Sequence, residues 1–139
     1  MSHKSIYWLV LLFLLGALAL TACGSPATPP PVDLQKLPVD VSVGMVESLR
    51  QQPEVMLIDV REPDEYQAGH IPGAVLIPLR DLPNHLNEIP KDKTVVAVCH
   101  SGNRSAKATD FLRQTGFDNV HNMQGGMVAW EQAGYEIQK

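Results

Sequence analysis

Cys99-His100-Ser101-Gly102-Asn103-Arg104-Ser105 places a thiol, a glycine and an arginine within seven residues. The run follows the apolar stretch Val95–Val98 and opens a helical pattern. A loop entering a helix turns several backbone N–H groups toward one centre, and the helix dipole adds positive potential there. Gly102 permits a tight backbone path, and Arg104 adds a permanent positive charge. All three favour a thiolate over a thiol at Cys99, and the thiolate is the nucleophilic form. The same N–H cradle accepts an anionic substrate. The parts are therefore a nucleophile, Cys99, and an anion site drawn from His100, Ser101, Gly102, Asn103, Arg104 and Ser105.

Two blander roles compete for the cysteine. It could be a buried structural residue at a strand end, but the glycine, the arginine and the helix start stand at workable spacings from it. It could hold a metal beside His100, but one cysteine and the scattered His70, His85 and His121 do not give zinc spacing. Neither a metal nor a cofactor is expected. Asp59 and Arg61 lie at the end of the run Val55–Ile58, on the same sheet edge as Cys99. They either border the substrate pocket or form a structural ion pair that braces the loop. Glu62, Asp64 and Glu65 charge the first turn of a short helix. His70 and Pro72 shape the turn Gly69–Gly73. Gly125-Gly126 is like a phosphate loop only superficially, because no Lys-Ser/Thr pair follows. Trp130 is expected in the core.

These residues need a scaffold of alternating strands and helices. Val55–Ile58 and Val95–Val98 are uninterrupted apolar runs, the pattern of strands buried on both faces of a parallel sheet. Ala74–Ile77 is a third strand candidate and Val39–Val41 a weaker one. Asn119–Asn122 is expected as a short edge strand. Ser42 caps a helix running to about Gln51, with Met45, Val46 and Leu49 at helical spacing. Leu82, Leu86 and Ile89 mark a second helix, ended by Pro90. Ser105–Gln114 is a third, stopped by Gly116, and Gly126–Ala133 a fourth. The fold expected is α/β: a single domain with a mostly parallel central sheet flanked by helices on both faces. In such sheets ligands bind beyond the carboxyl ends of the strands, where the Cys99 loop would lie.

Four motifs in order now carry a family resemblance. Leu57-Ile-Asp-Val-Arg-Glu-Pro-Asp-Glu-Tyr66 comes first, then Gly69-His-Ile-Pro-Gly-Ala74 with Ile77-Pro78. Cys99-x-x-Gly102-x-Arg104-Ser105 follows, and Gly116-Phe117 with Gly125-Gly126-Met127-x-x-Trp130 closes the series. Together they resemble the rhodanese family across about Val39 to Tyr135. The resemblance implies a two-step, ping-pong sulfur transfer. The Cys99 thiolate would take the outer sulfur of a donor such as thiosulfate, sulfite would leave, and a thiol or cyanide would accept the sulfur from the persulfide. It also implies that the backbone from His100 to Ser105 cradles the persulfide and the donor oxygens, while Arg104 helps hold the loop and the anion. Arginine stands five positions after the cysteine here, against six in protein tyrosine phosphatases and the rhodanese-like cell-cycle phosphatases. The shorter loop favours sulfur over phosphorus, and Val98 replaces the histidine that usually precedes a phosphatase cysteine.

The start of the chain is an address. The chain has 139 residues and a net charge of −4, and its first 22 residues hold 16 apolar side chains and a single charge, Lys4. The other 117 residues are about 39% apolar and carry 10 basic and 15 acidic groups, a net charge of −5. That balance argues against a nucleic-acid binder working through a basic surface. Two cysteines cannot build a disulfide scaffold. Ile6–Leu20 is an apolar run of 15 residues broken only by Gly16, short of the ~20 that a permanent span needs, although an uncleaved anchor is the competing reading. Leu20-Thr21-Ala22-Cys23-Gly24 resembles the lipobox of bacterial lipoproteins. That resemblance implies a signal peptide over residues 1–22, cleavage before Cys23, and two or three acyl chains such as palmitate on Cys23. Chains in that number anchor stably where one does not. Residues 23–36 are a proline-rich linker and residues 37–139 the rhodanese-like domain. The expected protein is a monomer on the extracytoplasmic side of a bacterial cell envelope, held to the membrane by lipid. Three functions remain open: a turnover sulfurtransferase, a persulfide carrier or binding module for a partner protein, and, disfavoured by loop length, a phosphatase or arsenate reductase.

Overall fold

The computed structural model describes residues 32–139. The export-signal pattern, Cys23 and the proline-rich stretch through Pro31 lie outside the described residues. Asp33–Lys139 forms one compact unit. Within it β1 (Asp40–Val41), β2 (Val55–Asp59), β3 (Val75–Leu76), β4 (Thr94–Val98) and β5 (Val120–Met123) build one sheet in the order β1-β5-β4-β2-β3. All neighbours run parallel. Parallel neighbours need crossover connections, and these contain α1 (Val43–Leu49), α2 (Pro63–Ala68) and α3 (Asn103–Gln114), with α4 (Gly126–Gln132) after β5.

Every residue of β4 is buried, and four of the five in β2 are, so the apolar runs become the centre of the sheet. Their alternation assigns them to two faces. Val95, Ala97 and Cys99 share one core cluster with Ile58, Val60, Val120 and the α3 residues Ala108 and Leu112. Leu57, Val96 and Val98 point the other way and are equally buried. Trp130 is fully buried, as expected, and its indole N–H donates to the Glu136 carbonyl at 2.9 Å. Asp59 stands opposite Val98 in the register, so β2 and β4 end level. The Val60 N–H then donates to the Val98 carbonyl at 2.9 Å, carrying the pairing up to the residue before Cys99.

The helix starts follow local chemistry. Ser42 accepts the Met45 N–H at 3.3 Å and caps α1. Glu62 and Glu65 form a reciprocal capping box at α2, with Pro63 in the first turn, where its missing N–H costs nothing.

Two expectations are corrected. The Asn119–Asn122 segment is not an edge strand: β5 lies between β1 and β4, and all four of its residues are buried. Its polar side chains suggested exposure, but they are satisfied internally. His121 Nδ1 donates to the Pro38 carbonyl at 2.7 Å, and Asn122 bonds to Asp40 and Ser105. The segment from Leu82 to Ile89 is not an α-helix but two short 3₁₀ turns, Leu82–Asn84 and Leu86–Glu88. Pro83 lacks an N–H and disfavours helical geometry at the residue before it. The backbone bonds that form instead include i to i−3 bonds, such as His85 to Leu82 and Glu88 to His85. Leu82 and Ile89 still reach the core, so the burial pattern held while the helix did not.

Candidate active site

Cys99 is the first residue beyond β4, and α3 begins at Asn103, so four residues, Cys99 to Gly102, turn the chain from strand to helix. Gly102 makes that turn as the N-cap, with φ +96°. The turn folds back on the sulfur: the Gly102 N–H donates to Cys99 Sγ at 3.1 Å, and Ser105 Oγ lies 3.3 Å from it. Burial alone would push the Cys99 thiol up. The Ser105 hydroxyl and the backbone N–H groups of Ser105, Ser101 and Gly102 outweigh that and hold the thiol below its ordinary value. Donors aimed at the charged form therefore favour a thiolate at Cys99. Cys99 is only 1% exposed, whereas His100, Ser101 and Asn103 around it are exposed.

The loop is held from two sides. The first N–H groups of α4 would be orphaned by the helix start. They instead donate to the loop, Met127 to the Cys99 carbonyl at 2.8 Å and Val128 to the His100 carbonyl at 3.0 Å. Gly126, with φ +56°, makes this approach possible, since a Cβ there would run into the carbonyls of Cys99 and His100. The Gly125-Gly126 pair thus supports the Cys99 loop. On the other side Arg104 donates from both terminal nitrogens to Glu65, each at 2.7 Å, tying α3 to α2. Its guanidinium is engaged by this carboxylate, so the donors turned on the sulfur are Ser105 and the backbone. Glu65 was legible in sequence only as a capping charge. It accepts the Glu62 N–H as well, at 3.0 Å.

Asp59 and Arg61 form a buried ion pair, 0% and 4% exposed. Arg61 donates to both carboxylate oxygens of Asp59 at 2.7–3.0 Å and to the Gly69 carbonyl at 2.8 Å. Arg61 also lines a cleft of about 300 Å³ with Glu65, Glu131 and Lys139. A larger cleft, about 480 Å³, adjoins the loop and is lined by Asp40, Ser101, Asn103, Asn122 and Gln124. Asn122 reaches the site through Ser105, whose Oγ lies 2.6 Å from Asn122 Oδ1. Sequence reasoning missed Asn122; the available signal was an amide among the apolar residues of a strand.

Residues 42–133 match the family model for the rhodanese-like domain. A sulfurtransferase of Allochromatium vinosum is 40% identical over 96 residues, covering 69% of this chain and 90% of that protein. A thiosulfate sulfurtransferase of Pseudoalteromonas translucida is 34% identical over 93 residues, covering 67% and 89%. Among solved structures, a rhodanese-like domain protein from Staphylococcus aureus superposes with a TM-score of 0.63 at 35% identity, covering 72% of this chain and 98% of that one. With a cysteine whose thiol is held below its ordinary value on a strand-to-helix loop at the carboxyl end of a parallel sheet, the chain belongs to the rhodanese-like family of sulfurtransferases.

Proposed function

We propose that this protein is an exported, lipid-anchored enzyme that moves sulfane sulfur from thiosulfate, or a similar small anionic donor, to a thiol or cyanide through a persulfide on Cys99. The observation that carries the reading is the set of donors converging on Cys99 Sγ. In the first half-reaction the thiolate attacks the outer sulfur of thiosulfate. The sulfur–sulfur bond of the donor breaks, and sulfite leaves with its electron pair. Cys99 then bears a persulfide anion, held by the same N–H groups that held the thiolate. In the second half-reaction the acceptor attacks the terminal sulfur, and the Cys99 thiolate is the leaving group. The donors that lower the thiol's proton affinity therefore serve twice, once for the nucleophile and once for the leaving group. The relative from Pseudoalteromonas translucida is named for thiosulfate, which supports that donor.

Export rests on the apolar run Ile6–Leu20 after Lys4, and anchoring on Leu20-Thr21-Ala22-Cys23-Gly24. With Cys23 acylated, Cys99 is the only thiol left, and no partner within the chain can resolve an oxidised sulfur. We therefore expect the resting protein to carry the persulfide or to depend on an external reductant. Thiocyanate production from thiosulfate and cyanide tests the activity, and Cys99→Ser should abolish it; retained activity would sink the mechanism. A stable persulfide with negligible thiocyanate would move the protein to the carrier class. The mass of the chain extracted from native membranes reports acylation at Cys23, and a free Cys23 would remove the anchor.

A further inference from the structure

The Ser105 hydroxyl has one proton and three acceptors in reach: Asn122 Oδ1 at 2.6 Å, the Gly102 carbonyl at 3.1 Å and Cys99 Sγ at 3.3 Å. The orientation of the Asn122 amide is determined by its other end. Its Nδ2 donates to Asp40 Oδ1 at 2.7 Å, which leaves the oxygen facing Ser105. The backbone keeps it there: Asn122 pairs with Asp40 on one side and Ala97 on the other, and the residue is 5% exposed. The shortest contact of the serine hydroxyl is therefore to Asn122 and not to the sulfur.

We propose that Asn122 is a positioning residue for the nucleophile: oriented by Asp40, its side-chain oxygen competes with Cys99 for the single Ser105 proton. While the sulfur is neutral the proton rests on the Asn122 side. When the sulfur is ionised a charged acceptor outbids a neutral one, and the hydroxyl turns toward it. Asn122 thus sets how much help Ser105 gives, and so limits how readily Cys99 ionises. This depends on Cys99 being the nucleophile but not on which donor supplies sulfur.

The test is the pH dependence of iodoacetamide alkylation at Cys99 in the full chain, read on the peptide that carries it. Asn122→Ala removes the competitor without changing charge. The charged and titratable groups on the surrounding elements stay in place. These are Arg104 on α3 with Glu65 on α2, Glu62 before α2, the Asp59–Arg61 pair at the end of β2, Asp40 on β1, His121 on β5 and His100 in the loop. The first turn of α4 carries none. The expected result is a midpoint lowered by about half to one pH unit, the size of one hydrogen bond gained by the sulfur. In a Ser105→Ala background the same substitution should leave the midpoint where it is. An unchanged or raised midpoint in the protein with Ser105, or an equal fall in both backgrounds, overturns the proposal. If Asn122→Ala does not fold, Asp40→Ala, at an exposed position, carries the same test. It frees the amide to turn, and its effect should be larger with Ser105 present than without it. Equal effects in the two backgrounds are then only the lost charge and overturn the proposal.

Discussion

Arg104 and Glu65 face each other across two hydrogen bonds of 2.7 Å, joining residues 39 positions apart. The Cys99 loop is thereby tied to a helix from a different strand–helix unit. The pair holds the Glu65 carboxyl at about 2, from an ordinary 4.5, with the Arg104 hydrogen bonds as the largest cause. A carboxylate whose folded value is depressed stabilises the fold above its unfolded value, and that contribution is lost as pH falls from about 4.5 toward 2. Glu65→Gln should remove this part of the acid sensitivity and cost about 1 kcal/mol at neutral pH, since the pair is partly exposed. Urea unfolding across that window checks it, and an unchanged acid limb would contradict it. Arg104→Lys cannot make the two-pronged contact, and turnover should fall about tenfold or more through a loosened loop.

The support from α4 makes a second prediction. Gly126→Ala places a methyl group against the carbonyls of Cys99 and His100 and requires an alanine at φ +56°. The loop or the helix start must move, at a cost of about 3 kcal/mol. Thermal unfolding should report the loss, and the Cys99 alkylation midpoint should rise as the donors leave the sulfur. A variant with native stability and a native midpoint would mean that the α4 contact does not shape the cradle.

Asp59 and Arg61 can be assigned by separating folding from activity. Removing Arg61 leaves a fully buried carboxylate without its partner, so Arg61→Met should destabilise by about 3–5 kcal/mol. Asp59→Leu with Arg61→Met should recover most of that stability. If the pair is a brace, the double variant retains sulfur transfer below its melting temperature. A stable double variant without activity would assign the pair to substrate instead.

Thr109 on α3 is buried, and its hydroxyl has no hydrogen-bond partner among the described residues. An unpaired buried hydroxyl carries a desolvation cost of about 1–3 kcal/mol. Thr109→Val, similar in shape, should stabilise the domain by about 1 kcal/mol and raise its melting temperature by about 4–8 °C. A lower melting temperature would mean that the hydroxyl is paired in solution.

The sheet was legible because its central strands are apolar without interruption, as strands covered on both faces must be. Cys99 and Gly102 were legible because a thiol between a strand and a helix start has a chemical meaning at short range. What the sequence hid depends on long-range contacts. Nothing local distinguishes Glu65 as the partner of Arg104 from Glu62 or Asp64. Asn122 and His121 looked like an edge because their partners, Asp40, Ser105 and Pro38, are distant in sequence. The Leu82–Ile89 spacing was helical, but Pro83 decided the backbone there. In each case an element was misjudged where a buried polar partner or a missing N–H outweighed the apolar pattern.

The proposed mechanism has Cys99 carry sulfur between two substrates. Its most direct test is the intact mass of the full chain after exposure to thiosulfate, and again after cyanide. The expected result is the mass of one added sulfur atom, located at Cys99 and absent from Cys99→Ser. Cyanide should remove it, with thiocyanate appearing in equal amount. No added sulfur, or an addition that persists in Cys99→Ser, would contradict it.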